Sequence, residues 1–206
     1  MANEIDLSDL EEDMLKELFN LGVGKAAASL SRMVKQEVML SIPKVSFRTT
    51  SDLIQMLGVD NEVVSISQDV NGPFAARSML LFHEDSSMHV VKQMIGTQMP
   101  DEMIAELQEE ALTEIGNVVL NACIGAISKA MKETFCVDIP TFQQADPGQI
   151  IQGNHLLKDS TIFLLEIDMT LKESDITGYM AFIFGPDALV NLHDAIRSML
   201  SKLGNA

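Results

Sequence analysis

Basic residues are scarce in this sequence of 206 residues. Only 14 Lys and Arg stand against 30 Asp and Glu, which gives a formal net charge of −16 at pH 7. Such a charge repels phosphate backbones and acidic lipid surfaces, so the composition argues against nucleic acid binding and against a role at a membrane surface. A protein partner or a cation is easier to reconcile with it.

Cysteines, linkers and long apolar runs are also few. Cys123 and Cys136 are the two cysteines and lack Cys-x-x-Cys spacing, so we expect no disulfide framework. No apolar run approaches membrane-spanning length and the acidic amino-terminal segment has no apolar core, so we expect a cytoplasmic protein without a secretion signal. No Pro, Gly or Ser-rich linker divides the chain, and a hydrophobic content of 47% suffices for one core.

Familiar catalytic and cofactor motifs are missing as well. The four histidines are scattered without a metal-binding spacing, and no Gly-x-Ser-x-Gly elbow occurs, so neither a metal held by this chain nor covalent catalysis is indicated. The segment Gly22-Val-Gly-Lys-Ala-Ala27 resembles a dinucleotide fingerprint, but a helical pattern precedes it where a strand is required. We interpret its small residues as points of close packing, and we expect no bound cofactor.

The remaining sequence predicts alternating helices and strands. Ser8 to Glu11 forms a capping-box pattern that opens a helix to about Val34, and a second long helical pattern runs from Asp101 to about Lys132, in one piece or two. Further strands are predicted at 38–49, 62–68, 74–82, 137–143, 160–170 and 176–184, and shorter helices at 51–57, 86–95 and 186–203. The segment 145–154 reads as an irregular loop, with a flap as the less favoured alternative.

One polar stripe in the second long helix needs an explanation. Glu110, Glu114, Asn117 and Asn121 follow one another at steps of four, three and four, so they share one face of the helix. Apolar residues such as Leu112 can bury the opposite face, and the stripe then faces either solvent or a partner. Asn is a mediocre helix former, so two of them on one face suggest a role, although a tolerated surface remains the alternative.

A second copy of this pattern favours a role. A shift of 97 positions superposes Glu17-Leu-Phe-Asn20 on Glu114-Ile-Gly-Asn117 and carries Ile42-Pro43 onto Ile139-Pro140. A repeat of this length predicts one domain built from two similar halves, about 8–105 and 106–204. We expect both Glu and Asn pairs to lie exposed on two adjacent antiparallel helices.

The paired residues suit the hydrolysis of a phosphoryl group brought by a partner. An amide cannot abstract a proton, but Asn20 and Asn117 can hold a water through one donor and one acceptor. Phosphoryl hydrolysis needs a positioned water more than a strong base. Glu17 and Glu114 could accept a hydrogen bond from a partner's Lys.

At these residues the sequence resembles the CheC/CheX/FliY family of chemotaxis phosphatases, and most closely CheC. The family signature is Asp or Ser, then Glu four positions later and Asn after three more, as in Asp13, Glu17 and Asn20. The second copy has Glu110 in the leading place but keeps Glu114 and Asn117.

The resemblance implies a fold and an activity. The fold is α/β, a mainly antiparallel six-stranded sheet with two long antiparallel helices on one side. The activity is dephosphorylation of the phospho-aspartate of a CheY-like response regulator, which supplies Mg²⁺, with the Asn residues orienting water and the Glu residues contacting a regulator lysine. Asp13, Glu110 and Asn121 are the further candidates for partner binding.

Two features of the resemblance leave alternatives open. CheC-like proteins also bind a CheD-like deamidase, so a non-catalytic adaptor for that deamidase or for a response regulator is the rival function. Phe19 and Lys25 stand where the family often has Gly and Asn. We therefore expect the second pair to be the better site, because Gly116 leaves room for a regulator's backbone and the ring of Phe19 obstructs or anchors it.

Overall fold

The computed structural model describes residues 8–95, 100–152, 161–171, 174–184 and 186–203. They form six helices and seven strands, with the following bounds: α1 Asp9–Val34, β1 Val38–Arg48, α2 Thr50–Leu57, β2 Val63–Asn71, β3 Ala76–His83, α3 Glu84–Ile95, α4 Asp101–Met131, β4 Cys136–Val137, β5 Thr141–Ala145, α5 Pro147–Gln152, β6 Thr161–Leu171, β7 Ser174–Phe184 and α6 Pro186–Leu203.

The strands make one antiparallel sheet in the order β1-β6-β7-β3-β2, with β4 and β5 both on the free edge of β2. Since β4 pairs with Val70 and Asn71 and β5 with 63–67, the two segments act as a single interrupted strand. The sheet therefore has six positions, and the predicted six-stranded antiparallel architecture is confirmed.

The helices lie on both faces of this sheet. Buried residues of α1, α3, α4 and α6 share one core cluster with the strands, which places both long helices on one side as predicted. A second cluster joins α2 and α5 to the other face through Leu53, Leu57, Ile150 and Ile151. The alternation of burial along the central strands is lost because both faces are covered.

The element order repeats. A long helix, a strand position, a short helix, two strands and a further helix occur once in the first half and once in the second. If each strand is replaced by its counterpart in the other half, the strand order of the sheet is the same read in reverse. The division at 105/106 remains a prediction, and it would fall within the first turns of α4.

Two segments differ from their prediction. Residues 147–152, expected to be irregular, form α5, which buries Ile150 and Ile151 against α2. Six residues are too short for a clear helical period, so the sequence pattern did not show it. Ala145 ends β5 and Asp146 is irregular as expected, whereas residues 153–154 and Gly96, expected to end α3, lie outside the described residues. The strand expected at 137–143 is interrupted at 138–140, at Ile139-Pro140.

Helix α4 is a single continuous helix. By length and composition Glu102–Met131 could span a membrane, with a mean hydropathy of 1.4 over its most apolar window, of which half is buried within the protein. The helix is apolar on two sides because one side packs on the sheet and another on α1. Among the described residues this is the one helix that meets these criteria.

A buried carboxylate joins α1 to α6. The Glu11 side chain completes the capping box with Ser8 and lies 3.2 Å from Arg197 Nε and 3.4 Å from His193 Nε2. Hydrogen bonds from the backbone and hydroxyl of Ser8, and then the Arg197 guanidinium, hold the pKa of Glu11 below its usual value. The shift of 97 places neutral Gln108 at the equivalent point of α4, where it donates to a serine of α3.

Candidate functional site

The first site, defined as Asp13, Glu17 and Asn20, lies on the outer side of α1. The capping box at Ser8 fixes the start of this helix, and its buried residues recur at the spacing of one face, so the intervening polar residues point away from the sheet. Asp13 and Glu17 are exposed and Asn20 is half-buried.

The second site, defined as Glu110, Glu114, Asn117 and Asn121, lies on the outer side of α4. Glu110 and Glu114 are exposed, whereas Asn117 and Asn121 are half-buried. The opposite side of α4 is buried, as the pattern around Leu112 predicted. The outer stripe therefore combines two solvated carboxylates with two amides set lower in the surface.

The two helices pack closely and antiparallel. A Cβ added to Gly22 would lie 3.0 Å from Cys123 Cα and 3.4 Å from Ala126 Cβ, so the small residue allows the backbones to approach. One turn earlier on α1, Phe19 borders a small cavity together with Ile127 of α4, which shows that the helices run in opposite directions. The cysteine at this crossing is free, and burial raises its pKa to about 12.

The crossing sets the distance between the sites. Asn20 lies two residues before Gly22 and Asn117 six residues before Cys123, in opposite directions, so the two asparagines are separated by roughly 12 Å along the helix axes. The prediction that Gly24 also serves close packing is wrong, since a Cβ there would meet nothing within 4 Å.

Asn20 is tied to the edge strand β1. Its Oδ1 accepts a hydrogen bond of 3.0 Å from the backbone N–H of Ile42, a residue only 3% exposed. The pairing of β1 with β6 shifts register between Ser41 and Lys44, and Asn20 supplies the acceptor for an N–H within this irregularity. Because a backbone N–H can only donate, the bonded atom of Asn20 is its oxygen, and the NH₂ group is left for other partners.

Asn117 has its oxygen bonded too, but to a side chain. Asn121 Nδ2 donates to Asn117 Oδ1 at 2.6 Å, and Gln68 Nε2 of β2 donates to Asn121 Oδ1 at 3.4 Å. We call Gln68, Asn121 and Asn117 the amide relay. The relay leaves the NH₂ group of Asn117 unbonded among the described residues. The NH₂ group of Asn20 is likewise unbonded there.

The two glutamates are unengaged. Within the described part of the chain, Glu17 and Glu114 make no hydrogen bond or ion pair, although Lys16 beside Glu17 pairs with Glu12 at 2.7 Å. An exposed carboxylate that has no partner in its own chain can pair with an incoming cation at little cost, because it does not first have to break an existing bond. Both are therefore free to accept from a docking partner.

The structure corrects the reasons given for ranking the sites. Phe19 is 2% exposed, and its ring lies 5.5 Å from those of Phe163 and Phe182, so it is a core residue that neither obstructs nor anchors a partner. Gly116 is also buried, and a Cβ there would overlap the side chain of Ile66. The glycine lets α4 approach β2 and provides no room for a regulator.

Sequence reasoning missed the inner partners of the asparagines. A signal for Ile42 existed, because Asn20 and Asn117 each precede an Ile-Pro pair by the same number of positions. A signal for Gln68 was its polarity within an otherwise buried strand. The equivalence is incomplete in the structure, since Ile42 is buried whereas Ile139 is 86% exposed.

The described residues contain no group of three or more His, Cys, Asp or Glu side chains that could hold a metal ion. Neither site therefore offers a ligand set of its own. What the sites offer is a carboxylate acceptor and, one helical turn later, an amide with its NH₂ group free.

Comparison with curated proteins finds distant relatives that are named as phosphatases. The CheY-P phosphatase CheC of Bacillus subtilis is 21% identical over 173 residues, covering 76% of this chain and 82% of the relative. The flagellar motor switch phosphatase FliY of the same organism is also 21% identical over 173 residues, covering 83% of this chain but only 45% of FliY. No family model matches the sequence.

Solved structures share the fold. Thermotoga maritima FliY superposes with a TM-score of 0.73 at 15% identity over 95% of this chain and 100% of that one. CheX in the CheX–CheY–BeF3–Mg²⁺ complex of Borrelia burgdorferi gives 0.51 at 19% identity over 82% and 96%. The FliM middle domain of Vibrio alginolyticus gives 0.62 at 13% over 90% and 99%.

These comparisons confirm the resemblance to the CheC/CheX/FliY family that the two Glu-x-x-Asn motifs indicated.

Proposed function

We propose that this chain is a phosphatase that hydrolyses the phospho-aspartate of a CheY-like response regulator. The observation that carries the proposal is the pair of Glu-x-x-Asn sites on α1 and α4, each with an exposed, unengaged carboxylate and an asparagine whose NH₂ group is unbonded among the described residues. The CheY-P phosphatase activity of the relative CheC, and the complex of CheX with CheY, support it.

The chemistry divides between the partners. The regulator brings the phosphoryl group and Mg²⁺, whose charge neutralises the phosphoryl oxygens. Glu17 or Glu114 accepts from a basic side chain of the regulator and fixes its register. Asn20 or Asn117 then enters beside the phosphoryl group and orients the attacking water, which lowers the barrier by positioning rather than by proton abstraction.

The second site should be the more active one, for a new reason. Asn117 can shift toward a regulator with its NH₂ group still outward, because the donor to its oxygen is the half-buried side chain of Asn121, which can move with it. Turning Asn20 leaves the buried N–H of Ile42 without an acceptor, which costs about 1–3 kcal/mol. Asn117 is therefore the freer of the two to adjust to the phosphoryl group.

The decay of an acetyl phosphate-charged CheY-like receiver domain tests this function. We expect the chain to accelerate the decay only with Mg²⁺ present and to acquire no covalent phosphate itself. Asn117→Ala should slow single-turnover decay by about tenfold, which corresponds to roughly 1.4 kcal/mol of barrier. Asn20→Ala should slow it less, and the double variant should abolish it. An active double variant would refute the proposed role of the asparagines.

The rival is a non-catalytic adaptor for a CheD-like deamidase or for a response regulator. An adaptor would retain a phosphorylated receiver domain or a CheD-like deamidase in a pull-down without changing the decay rate. Receiver domains charged on aspartate would also identify which regulator the chain binds.

A further inference from the structure

We infer that Asn121 and Gln68 are positioning residues that hold Asn117 with its NH₂ group outward, so that the second site presents a hydrogen-bond donor to the phosphoryl centre. The inference rests on the proposed function for its consequence. The orientation itself is a property of the free protein and does not depend on a substrate.

The amide relay is anchored in the core. Gln68 is only 2% exposed, on β2 beneath α4, and its Nε2 donates to Asn121 Oδ1. Its Oε1 is also buried and has no partner among the described residues, so the bond to Asn121 is the one side-chain hydrogen bond that Gln68 makes there. With its oxygen bonded inward, Asn121 directs its Nδ2 to Asn117 Oδ1, and only the NH₂ group of Asn117 remains for the outside.

At the first site a different donor bonds the oxygen of Asn20 and leaves its NH₂ group free. Gly24 occupies the position equivalent to Asn121, so no side chain can relay to Asn20. The backbone N–H of Ile42 bonds its oxygen instead, and that donor cannot be reversed. Two unrelated donors thus bond the oxygen of each asparagine and leave its NH₂ group free. An outward NH₂ group is therefore a feature of both sites and does not depend on one particular neighbour.

A fixed donor suits the reaction. In phosphoryl transfer, negative charge spreads over the equatorial oxygens, and the attacking water must lie in line with the leaving oxygen. An NH₂ group held outward can donate to one of those oxygens or to the water oxygen, and its orientation is set before the regulator docks. An outward amide oxygen would instead repel the phosphoryl group.

Asn121→Asp inverts the relay with almost no change in shape. A carboxylate cannot donate, so it accepts from Gln68 and from the NH₂ group of Asn117, which turns the oxygen of Asn117 outward. Gly125→Asp is the matched control, since Gly125 is exposed, has nothing within 4 Å of its Cβ position, and carries the same new charge one turn further from Asn117. Both changes are made in an Asn20→Asp background, which silences the first site while keeping an acceptor for Ile42.

Two measurements follow. Side-chain amide hydrogen exchange by NMR, on the free protein, should show slowed exchange for the NH₂ group of Asn121 and fast exchange for that of Asn117, with Asn117 becoming slow in Asn121→Asp. At saturating phosphorylated regulator, Asn121→Asp should decay about tenfold more slowly than Gly125→Asp, with a Kd within about twofold of it. If the aspartate variant does not fold, Asn121→Ala replaces it, with a smaller loss of rate and no loss of binding.

The inference is overturned if Asn117 carries the protected NH₂ group in the unchanged protein, or if inverting the relay leaves the rate equal to that of Gly125→Asp. Failure of the proposed function looks different: the unchanged chain then fails to accelerate decay at all, and the exchange pattern alone decides the direction of the relay.

Discussion

Replacing Asn20 should destabilise the fold, whereas replacing Asn117 should not. Asn20→Ala leaves the buried N–H of Ile42 without its acceptor, at a cost of about 1–3 kcal/mol. Ala is a better helix former than Asn by roughly 0.6 kcal/mol, so the net loss is about 0.5–2.5 kcal/mol. For a chain of this length that lowers Tm by about 1–10 °C.

Asn117→Ala provides the comparison. It loses a half-buried bond between side chains, worth about 0.5–1.5 kcal/mol, and regains the same helix propensity, so its net effect is below about 1 kcal/mol. Because the gain in helix propensity is the same in both variants, the difference between their free energies of unfolding reports the lost hydrogen bond alone. The donor in that bond is the backbone N–H of Ile42 for Asn20 and the NH₂ group of Asn121 for Asn117.

Asn20→Asp separates structure from chemistry at the first site. Its carboxylate still accepts from the N–H of Ile42 but has no NH₂ group to present, so stability should return to within about 0.5 kcal/mol while hydrolysis at this site stays lost. Urea unfolding of the three variants, alongside single-turnover decay, tests this. Equal stability of Asn20→Ala and Asn117→Ala, or no recovery in Asn20→Asp, would refute the structural role assigned to Asn20.

Three further results are expected. Gly116→Ala should cost about 1–3 kcal/mol in urea unfolding because the new methyl group overlaps the strand beneath, whereas Gly125→Ala, at an open helical position, should be neutral or stabilising; equal effects would contradict the packing role. Glu11→Gln should lower stability at pH 7, and the deficit should disappear on acidification, because a depressed folded-state pKa stabilises only above the ordinary Glu pKa and that contribution is lost as pH falls through the folded value; a deficit independent of pH would show that packing, not charge, is responsible. Glu17→Ala and Glu114→Ala should leave unfolding within about 0.5 kcal/mol and weaken regulator binding at the corresponding site; a titration in which neither affects binding would remove their assigned role.

The sequence by itself determined the elements and the candidate residues. The capping box at Ser8 gave the start of α1 correctly, and helical spacing placed Glu17 and Glu114 on exposed faces, because both properties depend on residues within a few positions of one another. The shift of 97 predicted one domain built from two similar halves, and the resemblance to the CheC/CheX/FliY family implied a six-stranded sheet with two long helices on one side.

Only the tertiary structure decided what surrounds those residues. Phe19 and Gly116 read as surface neighbours of the asparagines, yet both are buried, because each lies about 100° around its helix from the residue that follows it. The oxygen of Asn20 meets an N–H twenty-two residues away, and that of Asn117 meets an amide whose own anchor lies fifty-three residues distant on β2. Such pairings depend on how strands and helices pack, which no local spacing records, and they determine which atom each asparagine can offer to a partner.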